Sequence, residues 1–106
     1  MSGSRITIAD EDRLDNVHPG EVLREDFLVG SDISLDEVAA GTGIDPGKLA
    51  QLVASKAPVD AEADLRLTRY LRMSEGFFLR LQMDFDLEEA KRAMHGALER
   101  IVPRAA

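Results

Sequence analysis

The stretch that most constrains this chain runs over residues 34–57, SLDEVAAGTGIDPGKLAQLVASKA, and it predicts two short helices joined by a tight turn. Ser34 is a favourable first cap, and Glu37 follows three residues later at the capping-box spacing. Leu35 and Val38 then fall on one helical face. Gly43 suits the left-handed residue that ends a helix, because glycine has no Cβ to clash. The first helix is therefore bounded at both ends by local signals.

The second helix of this stretch begins at Asp45-Pro46, where the aspartate caps and the proline fills the first position without needing an N–H. Its apolar side chains share one face: Leu49, Leu52 and Val53. Three polar side chains are left to face outward: Lys48, Gln51 and Ser55. This is the layout of a recognition helix that enters a DNA major groove. An ordinary helical hairpin shows the same pattern, so spacing alone leaves both interpretations open.

Composition limits the alternatives. A chain of 106 residues is expected to form one domain with one modest core. The absence of cysteine excludes disulfides and thiolate sites. No apolar run approaches about 18 residues, and the opening MSGSR lacks an apolar signal core, so we expect neither a membrane span nor secretion. These features predict a cytoplasmic protein without a metal ion or other cofactor.

The formal net charge of −7 is unfavourable for a DNA-binding protein, because contacts with phosphates supply much of the affinity. The acids are concentrated at the start: residues 1–37 carry ten acids and three bases, while residues 38–59 carry one acid and two bases. We therefore expect residues 1–17 to form a flexible acidic arm suited to a basic protein partner, with a short strand at Ile6 and Ile8 as the less favoured alternative.

The remaining segments alternate caps with apolar helical patterns. A first helix is expected after His18, and another after Asp60. Along the latter, Arg66 and Arg69 either meet phosphates or a partner's acids, or pair with neighbouring acids in the same helix. The possible neighbours in that helix are Glu62 and Asp64.

The C-terminal part is predicted as two helices. One starts at Ser74-Glu75, and its apolar body is Phe77, Phe78, Leu81 and Phe85. Asp86 is expected to cap the final helix, which Pro103 would end. One face of that helix carries a long apolar stripe: Leu87, Ala90, Met94, Ala97, Leu98 and Ile101. Such a stripe predicts a dimer interface, to which Phe78 and Met83 would add, although folding back to complete the core remains the alternative.

The chemistry of an enzyme is missing from the pattern. No nucleophile stands beside a base, no Gly-rich phosphate loop is present, and no metal-ligand spacing occurs. His18 is a single histidine best explained as a helix-start residue, and His95 has the same lack of partners. We therefore interpret the chain as a binding protein and not an enzyme.

Four strings in order resemble the HigA/VapI antitoxins, which are Xre/Cro-type helix-turn-helix proteins. They are HPGEVLREDFL (18–28), the 34–57 stretch, LRLTRYL (65–71) and FFLRLQMDFDLEEAK (77–91). The resemblance implies an all-α, five- to six-helix lambda-repressor-like domain over residues 18–106 that dimerises. It further implies an antitoxin that represses its own operon by binding operator DNA. The neutralised toxin would be HigB, a RelE-like mRNA endonuclease.

The sequence departs from the family where bases are read. Leu35 replaces the usual Gln, GKLA (47–50) replaces Ser-Arg-x-Asn, and ASKA (54–57) replaces Asn-Gly-Lys-Arg. Gly41 and Thr42 also replace an Ala-Leu pair. Arg and Asn make bidentate base contacts that Ala and Gly cannot. The resemblance assigns DNA contacts to Leu35, Gly47, Lys48, Ala50, Gln51, Ser55 and Lys56. An interaction module that kept the fold and lost operator recognition is the second hypothesis.

Overall fold

The computed structural model describes residues 15–105, and this part of the chain is helical without strands. Helix α1 continues directly into a π-helical segment, and four further α-helices and a 3-10 turn follow. Their bounds are α1 Pro19–Val22, the π segment Leu23–Val29, α2 Leu35–Thr42, α3 Pro46–Val53, α4 Ala61–Leu71, α5 Phe77–Met94 and the turn Leu98–Arg100. The predicted all-α class is confirmed. Within the described residues, none of these helices has the length and hydropathy to cross a bilayer.

The predicted N-terminal arm and the strand at Ile6 and Ile8 lie outside the described residues, apart from positions 15–17. There, the Asn16 side-chain amide donates to the Phe85 carbonyl oxygen at 2.8 Å and to Glu89 at 3.1 Å. The described chain therefore starts in contact with α5 before its first helix begins.

The core lies where the inward faces of all five helices meet. Helix α2 packs against α3 and α4, α4 packs against α5, and α1 contacts α3 and α5. The large apolar side chains with no exposed surface are Leu23, Val38, Leu49, Leu52, Leu67 and Phe78. Full burial of each such side chain contributes roughly 1.5–3 kcal/mol. The helix-turn-helix is therefore held in a shared core.

The predicted caps of the helix-turn-helix are present. The Ser34 hydroxyl accepts from the Glu37 N–H at 3.0 Å, and the Glu37 carboxylate accepts from the Ser34 N–H at 3.2 Å. Gly43 has φ 76°, which is the left-handed conformation expected at the end of α2. Asp45 caps α3 by accepting from the Lys48 N–H at 3.0 Å, and Ile44 between the helices is buried. The local signals alone were enough to locate this unit.

The predicted division of the C-terminal part into two helices is wrong. Asp86 lies inside α5, where it accepts a 3.0 Å hydrogen bond from the Gln82 side chain one turn earlier, and therefore caps nothing. The helix ends at Met94, well before Pro103. It ends because His95 at φ 49° and Gly96 at φ 84° both adopt the left-handed conformation.

The start of α5 also differs from its prediction, since the helix begins at Phe77 and no side chain of its own N-cap, Gly76, can cap it. The buried Asp64 carboxylate of α4 does so instead. One oxygen accepts from the Gly76 N–H at 2.7 Å, and the other accepts from the Phe78 and Leu79 N–H groups at 2.9 and 3.0 Å. A residue of α4 therefore satisfies the first donors of α5.

Candidate nucleic-acid interface

Helix α3 buries one face and presents the other to solvent. Leu49 and Leu52 are fully buried against α1 and the core, while every other position from Pro46 to Gln51 is exposed. Six of the seven predicted DNA contacts are exposed on α3 or in the turn after it: Gly47, Lys48, Ala50, Gln51, Ser55 and Lys56. Ser55 has φ 63°, which turns the chain away directly after the helix. All six are therefore accessible to solvent, four of them on α3 and two in the turn after it.

Leu35, the seventh predicted contact, is placed differently. It is half-buried and packs against the core at the start of α2. Leu35 therefore acts as a packing residue in this chain, which agrees with its position on the apolar face of α2.

The ammonium of Lys48 is already paired. Its Nζ lies 3.2 Å from an Asp60 carboxylate oxygen, and both side chains are about half-exposed. Asp60 is also the N-cap of α4, with its other oxygen accepting from the Ala63 N–H at 2.8 Å. The Ala63 N–H, and after it Lys48, hold the pKa of Asp60 below its usual range. The sequence showed Asp60 as a cap but gave no sign of this ion pair, which spans twelve residues.

The two arginines predicted along α4 have different environments. Arg66 pairs with Glu62 at 3.0 Å and donates a 2.8 Å hydrogen bond to the Thr42 carbonyl at the end of α2, so its predicted pairing with a neighbouring acid is confirmed. Asp64 is not its partner. Arg69 is exposed and makes no hydrogen bond or ion pair with the residues that the structure describes.

Gly41 is explained by the neighbouring α4. A Cβ placed on Gly41 would lie 2.1 Å from a ring carbon of Tyr70, so only glycine allows the ring to approach α2 this closely. The intrinsic cost of about 0.5–1 kcal/mol for glycine within a helix is therefore accepted for packing. The departure from the family pattern at this position supports the scaffold and not DNA contact.

His18 is confirmed as a helix-start residue. It is buried, and its Nδ1 accepts from the Gly20 N–H at 2.9 Å. Its ring and that of Phe85 pack edge to face, with their centroids 5.0 Å apart. Burial lowers the pKa of His18, although the nearby Asp86 and the Ala57 backbone act in the opposite direction. Within residues 15–105, no group of three potential ligand side chains could hold a metal ion.

The six residues predicted for a dimer interface do not share one helix. They are divided between α5, the turn after it and the extended C-terminal segment. Leu87, Leu98 and Ile101 are 53%, 42% and 64% exposed, so the alternative in which they complete the core is excluded. Ala90 is exposed, while Met94 and Ala97 are half-buried. Of the two possible additions, Phe78 is fully buried and Met83 is 54% exposed.

Together these features define a helix-turn-helix domain with an exposed recognition helix. No protein-family model matches the chain. Pseudomonas aeruginosa antitoxin HigA, solved with the higBA promoter, is 28% identical with a TM-score of 0.78, and the match covers 87% of this chain and 100% of that one. A further P. aeruginosa structure, solved with 18 bp of operator DNA, is 32% identical with a TM-score of 0.80, and the match covers 85% of this chain and 96% of that one.

A curated relative gives the same result from sequence. Virulence-associated protein I of Dichelobacter nodosus is 29% identical over 83 residues, which are 78% of this chain and 77% of the relative. The similarity therefore extends over nearly the whole described domain in both kinds of comparison. The chain belongs to the HigA/VapI antitoxin family.

Proposed function

We propose that this protein is the antitoxin of a type II toxin–antitoxin module, which binds operator DNA to repress its own transcription and neutralises a RelE-like HigB mRNA endonuclease. The observation that carries the proposal is the match to two structures solved with promoter or operator DNA, over at least 85% of this chain. The exposed face of α3 supports it. Its role is binding and not catalysis, and it acts where the DNA is, in the cytoplasm.

In this proposal α3 enters the major groove. The contact positions are Gly47, Lys48, Ala50, Gln51, Ser55 and Lys56. Gln51 is the side chain among these that can make a bidentate contact with adenine. Gly47 and Ala50 allow close approach to the DNA but carry no hydrogen-bonding side chain. Specificity from base contacts therefore depends heavily on one glutamine.

The direct test is titration of the full chain into its own promoter fragment and into scrambled DNA at several salt concentrations. We expect a clear preference for the promoter. Gln51→Ala should cost about 1–3 kcal/mol on the promoter and little on scrambled DNA. Lys91→Ala, an exposed change on α5 away from α3, is the control. Equal and weak binding of both DNAs by the unchanged protein would refute operator recognition.

We further propose a homodimer, formed through an apolar surface that consists of Met83, Leu87, Ala90, Leu98 and Ile101. These exposed side chains lie close in sequence along α5 and the segment after it. Burying them between two copies would offset part of the cost of association. A two-fold dimer would place two copies of α3 at half-sites about 34 Å apart.

Sedimentation equilibrium tests the dimer with Leu98→Glu combined with Ile101→Glu. Both side chains are exposed, so the variant should stay folded, become monomeric and lose most of its operator affinity. Val29→Glu combined with Leu65→Glu is the matched control, since both residues are exposed apolar side chains elsewhere. A double variant at 98 and 101 that remains dimeric would place the interface on another surface.

A second candidate function is a protein-interaction module with weakened DNA recognition. Three features favour it: Gly47 and Ala50 are at positions to which the resemblance assigns base contacts, Lys48 is paired with Asp60, and the net charge is −7. Binding of a basic toxin would then use the acidic residues 1–17 or helix α1. If the promoter titration is negative, the interaction module is tested by co-expressing this chain with the product of an adjacent small basic reading frame. Co-purification of the two proteins would support it.

A further inference from the structure

The N-terminal ends of α3 and α4 meet at the proposed DNA-binding surface. Asp45 caps α3, and Asp60 caps α4. Between these ends lies a hollow of about 130 Å³, whose charged lining includes Asp45, Lys48, Glu62 and Arg66. Lys48 is the single basic residue of α3 and the one whose ammonium contacts Asp60. The only positively charged side chain of the recognition helix therefore lies next to a carboxylate of the same chain.

The side chains of Asp60 and Lys48 differ in conformational freedom. The hydrogen bond from the Ala63 N–H fixes the Asp60 carboxylate at the start of α4, so Asp60 cannot turn away without losing its cap. Lys48 has a flexible four-carbon stem and can exchange one anion for another. A phosphate that approaches Lys48 must therefore replace the Asp60 carboxylate, and it must also approach that fixed negative charge.

We propose that Asp60 restrains DNA binding by α3, because its carboxylate takes the place beside the Lys48 ammonium that a DNA phosphate would otherwise occupy. This inference rests on the proposed function, in which α3 binds DNA. Phosphate contacts are made with any sequence, whereas base contacts depend on the sequence. The pair between Lys48 and Asp60 therefore lowers sequence-independent affinity and leaves the contribution of Gln51 to specificity unchanged.

The size of the restraint follows from the exposure of the pair. Exposed ion pairs of this kind are weak, and releasing one corresponds to about a 1.5- to 5-fold change in affinity. One additional phosphate contact steepens the dependence of log affinity on log salt by about 0.9. Both effects are small for one protomer. For a dimer that binds two half-sites, the fold-change in affinity is squared and the added salt dependence is doubled.

Asp60→Asn is the informative change, since asparagine keeps an N-cap acceptor and removes the charge. We expect scrambled DNA to bind about 1.5- to 5-fold more tightly for each contacting protomer, with the steeper salt dependence. Glu62→Gln is the matched control, because it removes the same charge from the first turn of α4 but from the partner of Arg66. It should change affinity less. When Lys48 is already alanine, Asp60→Asn should not increase the affinity for scrambled DNA.

Three results would overturn the inference: no gain with Asp60→Asn, an equal gain with Glu62→Gln, or a gain that persists without the lysine. Urea unfolding of each variant establishes that the protein remains folded. Operator function is judged separately, by whether the unchanged protein prefers its promoter over scrambled DNA. Absence of any DNA binding at low salt, by the unchanged protein and by Asp60→Asn alike, would overturn both proposals.

Discussion

Replacement of Asp64 should damage this fold more than replacement of any other charged residue that the structure describes. Asp64 lies in α4, has almost no exposed surface, and accepts three hydrogen bonds from the backbone at the start of α5. Those N–H groups have no partner within their own helix. Asp64→Ala removes all three bonds at once and leaves α5 without a cap.

The expected magnitude follows from the surroundings of each donor. The Phe78 N–H is buried and would stay unpaired, at a cost of about 1–3 kcal/mol. The Gly76 and Leu79 N–H groups are partly buried, and exchange of the carboxylate for water costs about 1 kcal/mol each. The total is about 3–5 kcal/mol. Since small domains are stable by about 5–15 kcal/mol, this is a large fraction.

Urea unfolding followed by far-UV circular dichroism measures the effect. Asp64→Asn should lower the free energy of unfolding by less, about 2 kcal/mol, because its amide oxygen can still accept from the Phe78 and Leu79 N–H groups. Its amide nitrogen would face the Gly76 N–H, and two donors cannot form a hydrogen bond. Glu62→Ala, an exposed acid two residues earlier, is the control and should cost less than about 0.5 kcal/mol. Equal losses for Asp64→Ala and Glu62→Ala would refute the proposed cap.

Three further changes test the packing. Gly41→Ala should destabilise by about 1–2 kcal/mol in urea because of the Tyr70 ring, yet stabilise when Tyr70 is alanine. Gln82→Leu should cost about 1–3 kcal/mol, since it leaves the buried Val59 N–H unpaired, whereas Gln82→Glu keeps the acceptor. The folded-state pKa of His18 is lowered, so its stabilising contribution is complete above about pH 6.5 and falls as the pH drops below it. His18→Asn should flatten the pH dependence of unfolding between pH 7 and about 5; an unchanged slope would contradict this.

The helix-turn-helix could be predicted because its determinants are local. A capping box, a left-handed glycine and an Asp-Pro start each act within about four residues of chain, and all three are present in the structure. Apolar spacing likewise identified the buried Leu49 and Leu52. Sequence reasoning is reliable where a single turn of helix decides the conformation.

The errors lie where distant residues decide. Asp86 resembles a cap in sequence, but Gln82 one turn earlier and the unbroken apolar pattern keep it inside α5. The start of α5 depends on Asp64 of the preceding helix, which is twelve residues away from Gly76 along the chain. The pair between Lys48 and Asp60 is equally remote in sequence. Contacts of this kind depend on how helices pack, which no local pattern contains.

Helix α4 connects the two surfaces that an operator-binding dimer requires. Through Arg66 it binds the last turn of α2, through Asp60 it pairs with α3, and through Asp64 it holds the start of α5. Helix α5 in turn carries part of the proposed dimer surface. Because binding at two half-sites needs a fixed separation between two copies of α3, a loosened α5 should weaken operator binding more than binding to a single half-site. In the absence of urea, where the Asp64→Asn variant stays folded, its affinity for the full operator should therefore fall by a larger factor than its affinity for a single half-site.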